Sequence, residues 1–325
     1  MSENPISHLS EETKHILENV ESVYKRFWIT IFIVILQIFA VVTTLFKNQN
    51  DLLKTIELLT ILVISLGLLA WQEYRYARKT KYAEGLFYIH SVVHRLRDNF
   101  VLFNNYSASE TGSRTLINKE IFDEVTKAIT TFANAFSLIK SVKCRACIKL
   151  IRIDETSKKY ELLTKEEREK ILYVETWIRD SDSEINAPSN EPKHWICRNT
   201  DFYRLFSAKN PKTNNYFIEN NLPKRHNYNT TSFQMYGELD GKWTLPYKST
   251  IVWPIRRMTL RENHDSEQFP DNQDVLGYLC IDSSVKDVFN DSYDIHFGAI
   301  VADSLFVFLR RYFLWLEVKK GEGIR

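Results

Sequence analysis

The sequence is short of cysteine and short of net charge. Only 4 of its 325 residues are cysteine, Cys144, Cys147, Cys197 and Cys280. That is too sparse for a disulfide-built scaffold. Lysine and arginine number 43 against 41 aspartates and glutamates, a net charge of +2. No global field therefore draws nucleic acid, and any electrostatic function must be local. A glycine-rich phosphate loop, a kinase signature set, a nucleophile elbow and a helix-turn-helix pattern are all missing. A cleaved signal peptide is not expected either. About 25 mostly polar residues precede the first apolar run, which ends without a small-x-small site. What remains is a chain 44% hydrophobic and 26% charged, able to bury a core and long enough for one large or two ordinary domains.

Charge is missing locally as well. FWITIFIVILQIFAVVTTLF, Phe27 to Phe46, carries no formal charge and has the length of a bilayer crossing. A second apolar run, Leu58 to Trp71, is shorter. Counted from Thr55 to Tyr74 it also spans, with Glu57 near the headgroups and Lys54 snorkelling. Trp28, Trp71, Tyr74 and Tyr76 mark one interface. Lys25 and Arg26 precede the first run, and Arg75, Arg78, Lys79 and Lys81 follow the second. The positive-inside rule then puts both termini in the cytoplasm, with the chain multi-pass in the inner membrane. A buried helical hairpin of a soluble protein is the alternative. Ahead of the spans, Ser10 can cap a helix whose Ile16, Leu17, Val20, Val23 and Tyr24 share one face. FGAIVADSLFVFL (297–309) is interrupted by Asp303, too short to span, and expected as a buried helix.

Tyr82, Leu86, Ile89, Val93, Leu96, Phe100 and Phe103 follow a 4-3 heptad spacing. They make either a parallel coiled coil or one helix packed on its own domain. His90 and His94 share a face, but HSVVH offers no third ligand, so no metal is expected. NNYSASETGSR (104–114) reads as a linker. The expected segments are a helix in 1–26, spans in 27–74, a coiled-coil-like helix in 75–104 and a globular domain in 105–325.

Within that domain, LINKEIFDEVTKAITTFANAFSLIK carries an apolar stripe at helical spacing. SVKCRACIKLIRID alternates as a strand. Residues three apart on a strand face opposite sides, which works against a metal shared by Cys144 and Cys147 and favours ordinary buried thiols. EEREKILYVETW holds an element of unassigned type, and Asp180 to Pro246 is long, polar and aromatic. YKSTIVWPIRR (247–257) is β-branched yet broken by Pro254, which cannot donate a ladder hydrogen bond. A loop over Thr259–Asp274, the strand VLGYLCIDS and a helix over about Ser292–Val318 complete an α+β arrangement.

IVWPIRR, then VLGYLCIDS, then DVFNDSYDIHFGAIVADSLFVFL resembles the C-terminal half of a GAF domain. The likeness covers about 70 residues, is loose over Leu116–Pro246, and leaves out the membrane segment. It implies an antiparallel sheet with helices on one face, a small-molecule pocket on the other, and a dimer contact through the first and last helices. Tyr247, Ser249 and Thr250 then form a polar rim and Arg256 supplies charge, suited to an anionic ligand such as a nucleotide. Otherwise they are strand ends and a solvated arginine. Asp201, Asn221 and Tyr228 are further candidates in the segment that would cover the sheet; Asp201 reads equally as a helix-start residue and Asn221 as a turn former.

The resulting expectation is a membrane-anchored, homodimeric ligand sensor. It has no catalytic residues, no cofactor and no metal, and its partners are a small molecule and the lipid bilayer. One alternative is a ligand-gated, membrane-disrupting effector of a nucleotide-triggered bacterial defence system. Another is a cysteine-dependent reductase.

Overall fold

The structure is a computed structural model that describes residues 31–32, 34–43, 52–106, 114–154, 164, 167, 170–184, 191, 193–207, 215–225, 227–233, 243–256 and 275–322. The chain divides into two compact units, Met1–Thr80 and Lys81–Arg325. The expected N-terminal helix of 1–26, most of the 104–114 linker and the 259–274 loop lie outside the described residues.

In the first unit, residues 34–43 are helical. Helix α1 (Leu52–Tyr106) begins here. Among the described residues no helix is long and apolar enough to cross a membrane, and the expected span Phe27–Phe46 is only partly described. Val34 and Val41 are buried, but many of the unit's other described apolar side chains are not. Phe32, Ile35, Phe39, Val63, Ile64 and Leu68 are each more than half exposed. Hydroxyls on these helices are satisfied inwardly: Thr60 Oγ1 donates to the Ile56 carbonyl at 2.8 Å, and Thr43 Oγ1 to that of Phe39 at 2.9 Å.

The second unit is α+β. Its elements are α2 (Arg114–Lys140), β1 (Cys144–Ile153), β2 (Leu172–Arg179), β3 (His194–Trp195), α3 (Thr200–Phe206), β4 (Phe217–Glu219), β5 (Ser249–Arg256), β6 (Val275–Ser283) and α4 (Asp294–Glu322). The strands form one six-stranded sheet in the order β3-β2-β1-β6-β5-β4. Every neighbouring pair is antiparallel. The element of unassigned type in EEREKILYVETW is β2, which runs beside β1.

Period-two alternation gives the sheet two unlike faces. Cys144, Ala146, Ile148 and Leu150 of β1 pack with Ile251, Trp253 and Ile255 of β5 and Leu279 and Ile281 of β6. Onto this face the α2 stripe lays Ile121, Val125, Ala128, Phe132 and Phe136, and α4 adds Val301, Leu305 and Phe308. Trp253 is the keystone. Its ring centroid lies 6.1 Å from that of Phe132 and 6.3 Å from that of Phe136, and its indole N–H donates to the Ile295 carbonyl at 2.9 Å. A Cβ at Gly298 would overlap the Trp253 ring, so glycine is what lets α4 lie on the indole.

The C-terminal half of α1 joins the same core. Ile89, Val92 and Leu96 are fully buried among α2 and the sheet-facing residues, whereas Leu86 is half exposed. The apolar spacing read as a heptad thus serves, at Ile89 and Leu96, to pack the helix on its own domain. This part of α1 belongs to the compact unit Lys81–Arg325. His90 and His94 meet Nε2 to Nε2 at 2.7 Å, and no group of three or more metal-ligating side chains gathers among the described residues.

At the start of α4, Asp294 accepts an ion pair from Lys140 at 2.5 Å, the two side chains being 0% and 8% exposed. The Tyr82 hydroxyl of α1 donates to Asp294 Oδ1 at 3.0 Å and accepts from Lys140 Nζ at 2.8 Å. Three helices meet at this one buried polar cluster.

Pro254 has a clear place. The three residues of β4 pair only with Thr250 to Val252, and the β5–β6 register shifts between Ile255 and Arg256. The proline therefore sits past the end of one neighbour and beside an irregularity in the other, where a missing donor is tolerated.

Candidate functional site

The sheet face away from α2 and α4 is covered by the segment between β2 and β5. Short elements hold this cover in place. Asn199 precedes α3, and its side chain is spent on tethering. Its Nδ2 donates to the Trp195 carbonyl at 2.6 Å, and its Oδ1 accepts from the Thr231 backbone N–H at 3.1 Å and the Thr230 hydroxyl at 3.1 Å. Thr200 and Asn229 exchange backbone and side-chain bonds. Phe202, Leu205, Phe217, Leu222 and Tyr228 pack down on Val174, Val252 and Tyr278 in a second apolar cluster.

Between cover and sheet lies a cavity of about 370 Å³, within the range of small-molecule sites. Its floor is polar because the outward residues of the central strands are polar. Arg145, Cys147 and Lys149 come from β1, Arg179 from β2, Thr250 from β5, and Cys280 and Asp282 from β6.

One side is organised by Glu191. Its Oε1 lies 3.2 Å from Lys149 Nζ, 2.9 Å from the Thr176 hydroxyl and 2.9 Å from His194 Nε2; its Oε2 lies 2.6 Å from Arg179 Nη2. A carboxylate only accepts, so His194 carries its proton on Nε2, and Nδ1 accepts from the Thr231 hydroxyl at 2.7 Å. Burial and the Lys149 charge lower the His194 pKa and keep the ring neutral. Burial works to raise the Glu191 carboxyl. The His194 hydrogen bond and the charges of Lys149 and Arg179 outweigh it and hold the group well below the usual carboxylate range. With His194 neutral, the cluster of Lys149, Arg179 and Glu191 has an excess of one positive charge. Arg145 and Asp282 form a balanced pair at 2.8 Å beside it.

The other side is built by Asp201. Its Oδ1 accepts the Phe202 backbone N–H at 2.8 Å and its Oδ2 the Tyr228 hydroxyl at 3.2 Å. Burial raises its pKa, and burial likewise raises those of Tyr228 and Tyr247. The cavity is thus polarised, cationic at Lys149 and Arg179 and rich in hydrogen-bonding groups at Asp201, Tyr228 and Tyr247.

Stability carried by Glu191 has a defined pH window. Its folded pKa is depressed, so the contribution is complete above the unfolded value of about 4.3 and is lost as pH falls below it. Urea unfolding from about pH 3 to pH 7 should therefore show a steeper acid loss for the native chain than for Glu191→Gln.

Four of the sequence candidates come together here: Asp201, Tyr228, Tyr247 and Thr250 all line the cavity. Three do not. Ser249 points to the other face and its Oγ donates to the Val285 carbonyl at 2.7 Å. Arg256, beyond the register shift, donates to Asn215 Oδ1 at 3.0 Å. Asn221 sits at the start of the Leu222–Lys224 turn, with its backbone N–H on Glu219 Oε1 at 3.1 Å. Lys149, Arg179, Glu191 and His194 were not singled out by sequence. The shared parity of Arg145 and Lys149, opposite to Ala146, Ile148 and Leu150, was the available signal. No family model matches the chain, and no curated protein matches it.

Proposed function

We propose that this chain is a membrane-anchored, GAF-like sensor of a small anionic molecule, with a nucleotide as the leading candidate. The observation that carries the reading is the polarised cavity on the face of the sheet away from α2 and α4. Lys149 and Arg179 exceed Glu191 by one charge, which suits a phosphate or carboxylate. Asp201, Tyr228 and Tyr247 offer the donors and acceptors that a heterocycle needs. A two-faced antiparallel sheet with flanking helices accords with the resemblance noted in IVWPIRR and VLGYLCIDS.

The exposed apolar side chains of the first unit supply the argument for the bilayer. Water is a poor solvent for that much contiguous hydrocarbon, and lipid is the simplest cover. Basic residues on the outer flanks of both apolar runs then orient the termini to the cytoplasm. A homodimer is favoured by Ile300, Val307 and Leu314, exposed at seven-residue spacing along α4. The output leaves through α1, whose Tyr82 is bonded into the cluster at the head of α4.

The test is thermal unfolding of the full chain in detergent against a panel of cyclic and linear nucleotides. A ligand at 100 times its Kd adds about 2.7 kcal/mol, a shift of about 5–10 °C for a unit of this size. One compound should give that shift, and Lys149→Met should abolish it. A panel with no response in a well-folded chain overturns the nucleotide reading.

A further inference from the structure

Cys147 and Cys280 lie directly opposite each other on β1 and β6. Both side chains are on the cavity floor, and both are free thiols. Directly opposed residues of an antiparallel ladder have Cα atoms about 4.5–5.5 Å apart. A disulfide spans about 4.4–6.8 Å between Cα atoms, so the separation of this pair falls in the range of a disulfide.

The surroundings are unlike those of an inert core thiol. On its other side Cys147 is opposed by Arg179 of β2, and Lys149 follows two residues along the same face. The hydrogen bond with Cys280 lowers the Cys147 pKa; burial opposes this, and Lys149 and Arg179 reinforce it. The same hydrogen bond, with burial, pushes Cys280 up. The two sulfurs are thus pushed in opposite directions, Cys147 toward the more acidic side and Cys280 toward the less acidic. Cys144 is the built-in contrast. It faces the helices, and burial pushes its thiol up to about 12.

We propose that Cys147 and Cys280 form a dithiol couple that is oxidised inside the cavity by a small hydroperoxide. The Cys147 thiolate attacks the distal oxygen of ROOH. An S–O bond forms as the O–O bond breaks, and the departing alkoxide takes up the proton that Cys147 had released. The Cys280 thiol then attacks the sulfenic sulfur. An S–S bond forms, the S–O bond breaks, and hydroxide leaves with the thiol proton as water. Two thiols lose two electrons, and the peroxide becomes ROH and water. A low-molecular-weight thiol, itself oxidised to its disulfide, restores the pair. The couple needs the cavity only to admit a peroxide, so it stands whether or not a nucleotide binds there.

The experiment uses the full chain in detergent, treated with near-stoichiometric hydrogen peroxide and then alkylated in denaturant. Peptide mapping should find Cys147 linked to Cys280, a product about 2 Da lighter than the dithiol. Cys144 and Cys197 should remain alkylated, and added glutathione should reverse the link. In Cys280→Ala the sulfenic acid should persist on Cys147 and be trapped by dimedone. Alkylation of both Cys147 and Cys280 after a dose that oxidises the exposed Cys197 would overturn the proposal. The wild-type measurement stands on its own if the variant fails to fold.

Discussion

Asp294→Ala should cost the protein about 3–5 kcal/mol, because it removes the carboxylate that balances the Lys140 ammonium in the interior. The pair is held at 2.5 Å with side chains 0% and 8% exposed. Water cannot easily replace the lost partner. Asp294 also accepts the Asn290 backbone N–H at 2.6 Å, so the substitution frays the entry to α4 as well. Against a total stability of about 5–15 kcal/mol for a typical domain, the loss is a large fraction. Two companion changes separate the causes. Tyr82→Phe removes only the bridging hydroxyl and should cost about 1 kcal/mol. Lys140→Met with Asp294→Leu removes both charges and should recover most of the stability. Urea midpoints at unchanged slope read all three. A cost for Asp294→Ala near that of Tyr82→Phe would show the pair to be solvated rather than buried.

Trp253→Ala is expected to cost a similar amount, about 3–5 kcal/mol, by a different mechanism. The indole fills the space between β5, Phe132, Phe136 and the backbone of α4 at Gly298. Alanine leaves a cavity there and removes the bond from the indole N–H to the Ile295 carbonyl. Trp253→Phe should recover most of the packing but not the hydrogen bond. Gly298→Val should destabilise by the opposite route, since a side chain there has no room above the ring. All three changes lie on the helix face. Variants that still fold should therefore keep the affinity of the cavity on the far side, and a parallel loss of ligand response would mean that the two faces are coupled.

Much of the fold was legible because it follows from periodicity. The stripe of α2, the alternation in β1 and the runs of β5 and β6 fall where spacing placed them. β2 was harder to assign because its alternation lapses in the middle: Leu172, Val174 and Ile178 are buried, but Thr176 is not. The heptad of α1 was ambiguous for a physical reason: a stripe fit for a second helix of another chain fits equally well against α2. The site was half legible. Thr250 and Ser249 are neighbours in the sequence, yet strand parity sends them to opposite faces, and that parity was readable. Arg256 escaped because a register shift precedes it. The Glu191 cluster could not be read at all. It joins residues from β1, β2 and the approach to β3, and its logic is one carboxylate shared by several donors, which no local spacing records.

The two faces of the sheet also divide the labour of change. Cys144, Ala146, Ile148 and Leu150 face the helices, while Arg145, Cys147 and Lys149 face the cavity. A substitution at one parity is tested by folding, and at the other by what the cavity holds. Under the proposed sensor role, lineages of this protein could therefore exchange one ligand for another by drifting at alternate positions of the same strand. The scaffold need never be rebuilt, and the record of that drift would be a two-residue rhythm of constancy and variation along β1, β5 and β6.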